Sequence, residues 1–134
     1  MRHRAQNMIG KWVVGWLLYS IVGTRNGEDY WGYRILDGHK YHSIIPSTLS
    51  IETGKLDTTG NMIFMSYEMN GLMTKGGDVV ASHYGYEGNV VLKDSAMGIQ
   101  WYKGANIDRH KYSQLCSAFN LTIIGKQSEV QSGN

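Results

Sequence analysis

The chain has 134 residues, of which 42% are apolar and 18% charged; this excludes a polar, disordered polypeptide and suffices for one packed domain. Thirteen basic and eleven acidic residues leave a formal net charge of +2 and are interleaved rather than blocked, so a nucleic-acid partner is not expected; the one basic cluster is Arg2, His3, Arg4 and Lys11. Cys116 is the only cysteine, which excludes an internal disulfide and a four-thiolate metal site and suits a reducing, cytoplasmic setting; beside Leu115, Ala118 and Phe119 it reads as a small buried hydrophobe.

Residues 1–7 read as a frayed end. The apolar run 12–22, WVVGWLLYSIV, follows a basic start and so imitates a secretory signal. It lacks a small-residue cleavage site, carries Trp12, Trp16 and Tyr19, and is too short to span a bilayer as a helix. It is therefore expected to be the first element of the fold, with no membrane span. Residues 8–20 also show helical spacing (Ile9, Trp12, Val13, Trp16, Tyr19). Val13, Val14 and Gly15 favour a strand, and an α+β roll with an N-terminal helix is the alternative.

From there the chain is punctuated by 17 glycines and a single proline. Asn26-Gly27, Asp37-Gly38, Gly54, Gly60-Asn61, Asn70-Gly71, Gly76-Gly77-Asp78, Gly88-Asn89, Gly98 and Gly104 are turn signals, spaced too closely for long helices. Strands are predicted over 30–36, 39–45, 47–53, 61–69, 79–86, 90–93, 99–103 and 121–125. In 61–69 an extended chain puts Ile63, Met65, Tyr67 and Met69 on one face. Residues 107–119 place Tyr112, Leu115, Cys116 and Phe119 on one helical face behind a possible Asn106 cap, which predicts the one short helix. Residues 127–134 read as a second frayed end, leaving a single domain with a folded core over 8–126. The expected fold is mainly β: an antiparallel up-and-down barrel or barrel-like sandwich of about eight or nine short strands.

No nucleophile elbow, phosphate-binding loop, dinucleotide fingerprint or paired-histidine zinc helix is present, which lowers the expectation of an enzyme. His83, His110 and Asp108 are the weak candidates for acid–base chemistry; Asp108 could orient His110, but nothing supplies a nucleophile. His39 and His42 lie three apart, so a strand would point them to opposite faces; neither a metal nor a cofactor is expected. Four Trp and nine Tyr against two Phe is a lining suited to ligands and interfaces, because these rings carry a polar handle. Trp16, Trp31, Tyr33, Tyr41, Met65, Tyr67, His83, Tyr84, Tyr86 and Trp101 are the predicted ligand-facing residues, with Met62, Met65, Met69 and Met73 as adaptable filling. Two partners are compatible with this set, a small apolar molecule held inside a barrel or a second copy of the chain. The function expected first is a non-catalytic binding module for a small hydrophobic or aromatic molecule. A protein-interaction or homodimerising module with its aromatics outside is the alternative, and a small-molecule enzyme using a His/Tyr/Asp set in the same cavity is a third reading.

Ile9-Gly10-Lys11-Trp12, followed by an apolar strand ending in Tyr19-Ser20, resembles the G-x-W opening of lipocalins and lipocalin-like domains. The resemblance covers residues 9–36. It implies a structural Gly10 and Trp12 at one end of an antiparallel barrel, with the interior aromatics facing a small apolar ligand. The chain departs from that family in lacking its later T-D-Y-type block and the arginine of the final strand that covers the Trp, where Lys126 is the nearest substitute.

Overall fold

The structure, a computed structural model, describes residues 1–105, 111–116 and 120–130. Its strands are antiparallel, as the turn spacing predicts, and they form open sheets rather than a closed barrel. The first sheet contains β1 (His3–Gln6), β2 (Trp12–Arg25), β3 (Glu28–Asp37), β4 (Lys40–Ser43), β5 (Ser50–Leu56) and β6 (Met62–Met65), in the order β4-β3-β2-β1-β5-β6. A small hairpin, β7 (Glu68–Met69) and β8 (Leu72–Met73), follows. The second sheet is built from β9 (Asp78–Ala81), β10 (Glu87–Lys93), β11 (Ala96–Lys103), β12 (Tyr112–Gln114) and β13 (Thr122–Lys126), in the order β12-β11-β10-β9-β13. The chain then enters one helical turn, α1 (Gln127–Val130).

Within residues 8–20 the ambiguity resolves as strand from Trp12 onward, residues 8–11 forming the turn from β1: Trp12–Gly15 pair with β1, and Trp16–Arg25 form a long hairpin with β3. That hairpin closes on Asn26 and Gly27, whose φ angles of 52° and 78° make the I′ turn that matches the twist of two antiparallel strands. The described parts of the two ends expected to fray are held in the fold. β1 lies between β2 and β5 with Ala5 fully buried, and Gln127 is a buried residue. The expected helix over 107–119 is also corrected, since within its described part Tyr112–Gln114 is a strand paired with Gly98–Gln100. Gly98 permits this, because a Cβ there would strike the Tyr112 ring, which lies flat across it.

Two cores result. One gathers Ile63, Met65, Val80, Val90, Ile99, Trp101, Leu115 and Leu121, from the β6 side of the first sheet and one face of the second. The other gathers Ala5, Val13, Ile35, Ile44 and Leu49, with Leu17, Tyr33, Tyr67 and Met69 packed against it. The expected single face Ile63, Met65, Tyr67, Met69 is thus divided between them. The division falls at Ser66, whose N–H donates to Val90 O at 3.0 Å and whose carbonyl accepts the Leu92 N–H at 2.7 Å, joining β6 to β10. Beside this joint Arg4 and Asp78 form a buried ion pair, Nη2 to Oδ1 2.8 Å. The same guanidinium donates to Gly76 O and lies 4.4 Å from the Phe64 ring centroid. Asp78 Oδ2 accepts the Phe64 N–H at 2.7 Å.

Candidate functional site

Beyond Gly15 on β2 and Arg34 on β3, no third strand among the described residues pairs with the β2–β3 hairpin. It extends past the sheet as a two-stranded arm. A side chain and its cross-strand partner share a face, so the register Leu17↔Ile35, Tyr19↔Tyr33, Ile21↔Trp31 defines one continuous side. At its base Leu17, Tyr33 and Ile35 belong to the second core. Farther out, Tyr19 is 60% exposed and Trp31 55% exposed. The Tyr19 ring stands 4.8 Å from Tyr33 and 5.7 Å from Trp31, stacked on the latter. A row of aromatic rings therefore leads from the core into solvent.

The arm's other side begins with Trp16, Leu36 and Tyr41, aligned across three strands; Trp16 and Tyr41 are both exposed. Nearer the tip, the Tyr30 ring covers Gly23, where a Cβ would collide with it. A β-bulge between Ile21 and Gly23 accompanies this, and such bulges raise the local twist. The arm's first strand carries no charged side chain from Trp12 to Thr24. Edge strands are normally protected by charge, proline or a covering segment.

The ten residues predicted to share a cavity are dispersed, which corrects that expectation. Trp31 and Tyr33 lie on one side of the arm, and Trp16 and Tyr41 on the other. Met65 and Trp101 are core residues with Tyr86 packed beside them; Trp101 donates its indole N–H to Ser113 Oγ at 3.0 Å, and Tyr86 donates to Ala105 O at 2.8 Å. Tyr67 packs on the other core. His83 and Tyr84 pack with tilted rings, centroids 3.8 Å apart, in the exposed β9–β10 connection. The physical reason is that the buried positions of both cores are taken mainly by aliphatic side chains, with Trp101 the one aromatic ring among them. Tyr19, Ile21 and Tyr30, absent from the predicted set, belong to the arm; the uncharged run 12–24 was the signal for the first two.

Of the weak catalytic candidates, Asp108 and His110 lie outside the described residues, and His83 lies in the exposed β9–β10 connection. Among the described residues no group of three His, Cys, Asp or Glu side chains is placed to hold a metal. Cys116, expected to be buried, is exposed. Burial pushes the Tyr67 hydroxyl up to about 12, and its oxygen, like the neighbouring His3 Nδ1, is buried without a hydrogen-bond partner among the described residues. Trp12 is flanked by the Lys126 ammonium at 5.0 Å and the Arg4 guanidinium at 5.4 Å from its centroid, and it donates to Glu129 at 2.7 Å.

Among the described residues no helix is long and apolar enough to cross a membrane. No known family model, curated protein or solved structure matches this chain.

Proposed function

We propose that this chain is a protein-interaction module, working in a reducing cytoplasmic setting, whose contact element is the β2–β3 arm. One observation carries this reading: a two-stranded arm holds half-exposed Trp16, Tyr19, Ile21, Tyr30 and Trp31 away from both cores. An isolated two-stranded hairpin is marginal in water, and clustered exposed apolar surface marks binding sites in soluble proteins. Tyr and Trp are the residues that interfaces favour, since they supply large rigid contact area with few rotamers to freeze.

The test is a photo-activated cross-linking residue placed at Trp31 and, as a control, at Tyr84, which is 72% exposed but off the arm. In extracts of the source cells, position 31 is expected to give a discrete protein adduct and position 84 none. Equal labelling from both positions, or none from position 31, overturns the reading.

A further inference from the structure

Resting on the interaction reading, we infer that the arm's partner is a second copy of this chain, the two copies joining β3 edge to β3 edge about a twofold axis at Trp31. The first support is the backbone. β4 covers β3 only from Arg34 to Asp37. The two-residue turn at Gly38-His39 closes on the pair Asp37↔Lys40, and in such a hairpin the closing pair exchanges its main-chain hydrogen bonds, after which bonded and non-bonded pairs alternate. Odd-numbered residues of β3 therefore direct N–H and C=O toward the β4 side. At Asp29, Trp31 and Tyr33 no described strand receives them.

Room for another strand exists at this edge. A groove of about 550 Å³ runs from Trp31 and Tyr33 to Ser43, Ile44, Pro46 and Met8. A second groove of about 510 Å³ continues from Pro46 to Leu72 and Met73. A strand running antiparallel to β3 along this edge has its far end directed into these apolar walls. An arm from a second copy satisfies that geometry, since its tip points toward the partner's body.

Charge then selects the register. With Trp31 opposite its own counterpart, Asp29 faces the second copy's Tyr33, and Glu28 comes beside the second copy's Arg34. Both of the latter side chains lie on the same face by strand alternation. The ladder proper is confined to residues 29–33, because Ser43 already occupies the position opposite Arg34. Neither Glu28 nor Arg34 forms an ion pair among the described residues; Arg34 reaches only Val22 O at 3.4 Å. The twofold repeats the complementary contact, so each dimer has two. Extended segments of other proteins could use the same backbone groups, but they carry no reason for this pairing of charges.

The available area is sufficient. Half-exposed Tyr and Trp rings present about 100 Å² each, so Tyr19, Tyr30, Trp31 and their neighbours, with the groove walls and the main chain, approach the roughly 800 Å² per partner of a stable interface.

The experiment is sedimentation of the purified full chain with a charge swap. The unmodified protein is expected to be a dimer at about 100 μM, and Glu28→Arg and Arg34→Glu are each expected to weaken it about tenfold by opposing like charges twice. Mixing the two variants restores association, because the pairs are again complementary. Trp31→Pro removes one outward N–H that β2 does not use, and is expected to give a monomer with an unchanged circular dichroism spectrum; should it misfold, the charge swap alone decides. A strictly monomeric native chain, single variants as tight as the native chain, or a mixture that fails to recover overturns the dimer. If the native chain is monomeric while the cross-linker at position 31 labels a protein of different mass, self-association falls and the interaction reading stands.

Discussion

His3 stands on β1 with its ring edge-on to Tyr67, centroids 5.8 Å apart, and its Nδ1 is buried without a hydrogen-bond partner among the described residues. Burial is the main cause that holds its pKa below the ordinary 6.5. A base whose folded pKa is depressed releases protons on folding, so it contributes stability above the unfolded value and that contribution is lost as pH falls from about 6.5 toward the folded value. The nearby carboxylates do not imitate this. Glu52, held low mainly by the Arg2 N–H, titrates beneath this window. At Asp57 burial works upward, but hydrogen bonds from Ile123, Asn61 and Thr59 outweigh it and keep the carboxyl low. Asp78, raised by burial against the pull of Arg4, has the opposite sign, its contribution diminishing as pH rises. Denaturant midpoints are therefore expected to drop between about pH 7.5 and about pH 5.5. His3→Phe, which keeps a ring against Tyr67 and removes the titration, is expected to flatten that drop; an equally steep fall in the variant refutes the assignment.

At the scale of elements, turn chemistry was the most legible feature. Asn26-Gly27 and Asn70-Gly71 form hairpin turns, and the glycine of Asp37-Gly38 opens the turn between β3 and β4, because glycine or asparagine tolerates the positive φ those turns require. The β10–β11 hairpin was not legible as such. It closes on Asp94 and Ser95, at φ 51° and 65°, with no glycine to announce it. The helical spacing of Tyr112 and Leu115 misled for a related reason: periodicity in a short segment does not reveal that Gly98 on a neighbouring strand leaves room for the Tyr112 ring. The arm was half legible. Its strands could be read, but apolar residues at successive positions of β2 suit burial on both faces, and only the pairing pattern reveals that those faces meet water. If the arm serves contact rather than stability, shortening it is tolerated. Replacing Ile21–Trp31 with Asn-Gly keeps the pairs from Leu17↔Ile35 to Ser20↔Gly32 and leaves both cores intact. Thermal denaturation is expected to shift by no more than about 3 °C, with self-association abolished; a loss of folding would make the arm structural instead.

Across the whole molecule, the two sheets share one core between β6 and the second sheet, and beside it they meet at a polar joint. Gln127 occupies its centre: its amide donates to Val90 O at 3.0 Å and to Asp78 O at 3.4 Å, while its oxygen accepts from Ser66 Oγ at 3.0 Å. Ser66 Oγ in turn accepts the Gly77 N–H at 2.9 Å. The backbone closes the same knot, with Gln127 N–H to Gly77 O and Ser128 N–H to Lys75 O, each at 2.9 Å. A polar tail gives no sequence sign of this, because one buried glutamine has no period and its partners lie between 37 and 61 residues away. Tolerance to truncation depends on burial and hydrogen bonding of the removed residues rather than on position in the chain. Removing residues 127–134 takes the acceptor from the buried Ser66 hydroxyl and the donor from the Gly77 carbonyl, at about 1–3 kcal/mol for each group left unsatisfied, and also frees Trp12 from Glu129. The truncated chain is therefore expected to unfold in urea at a clearly lower midpoint. Gln127→Ala in the full chain should reproduce a large part of that loss, since the side chain holds three of the contacts. An unchanged midpoint in both variants would mean that the sheets are held together by their apolar faces alone.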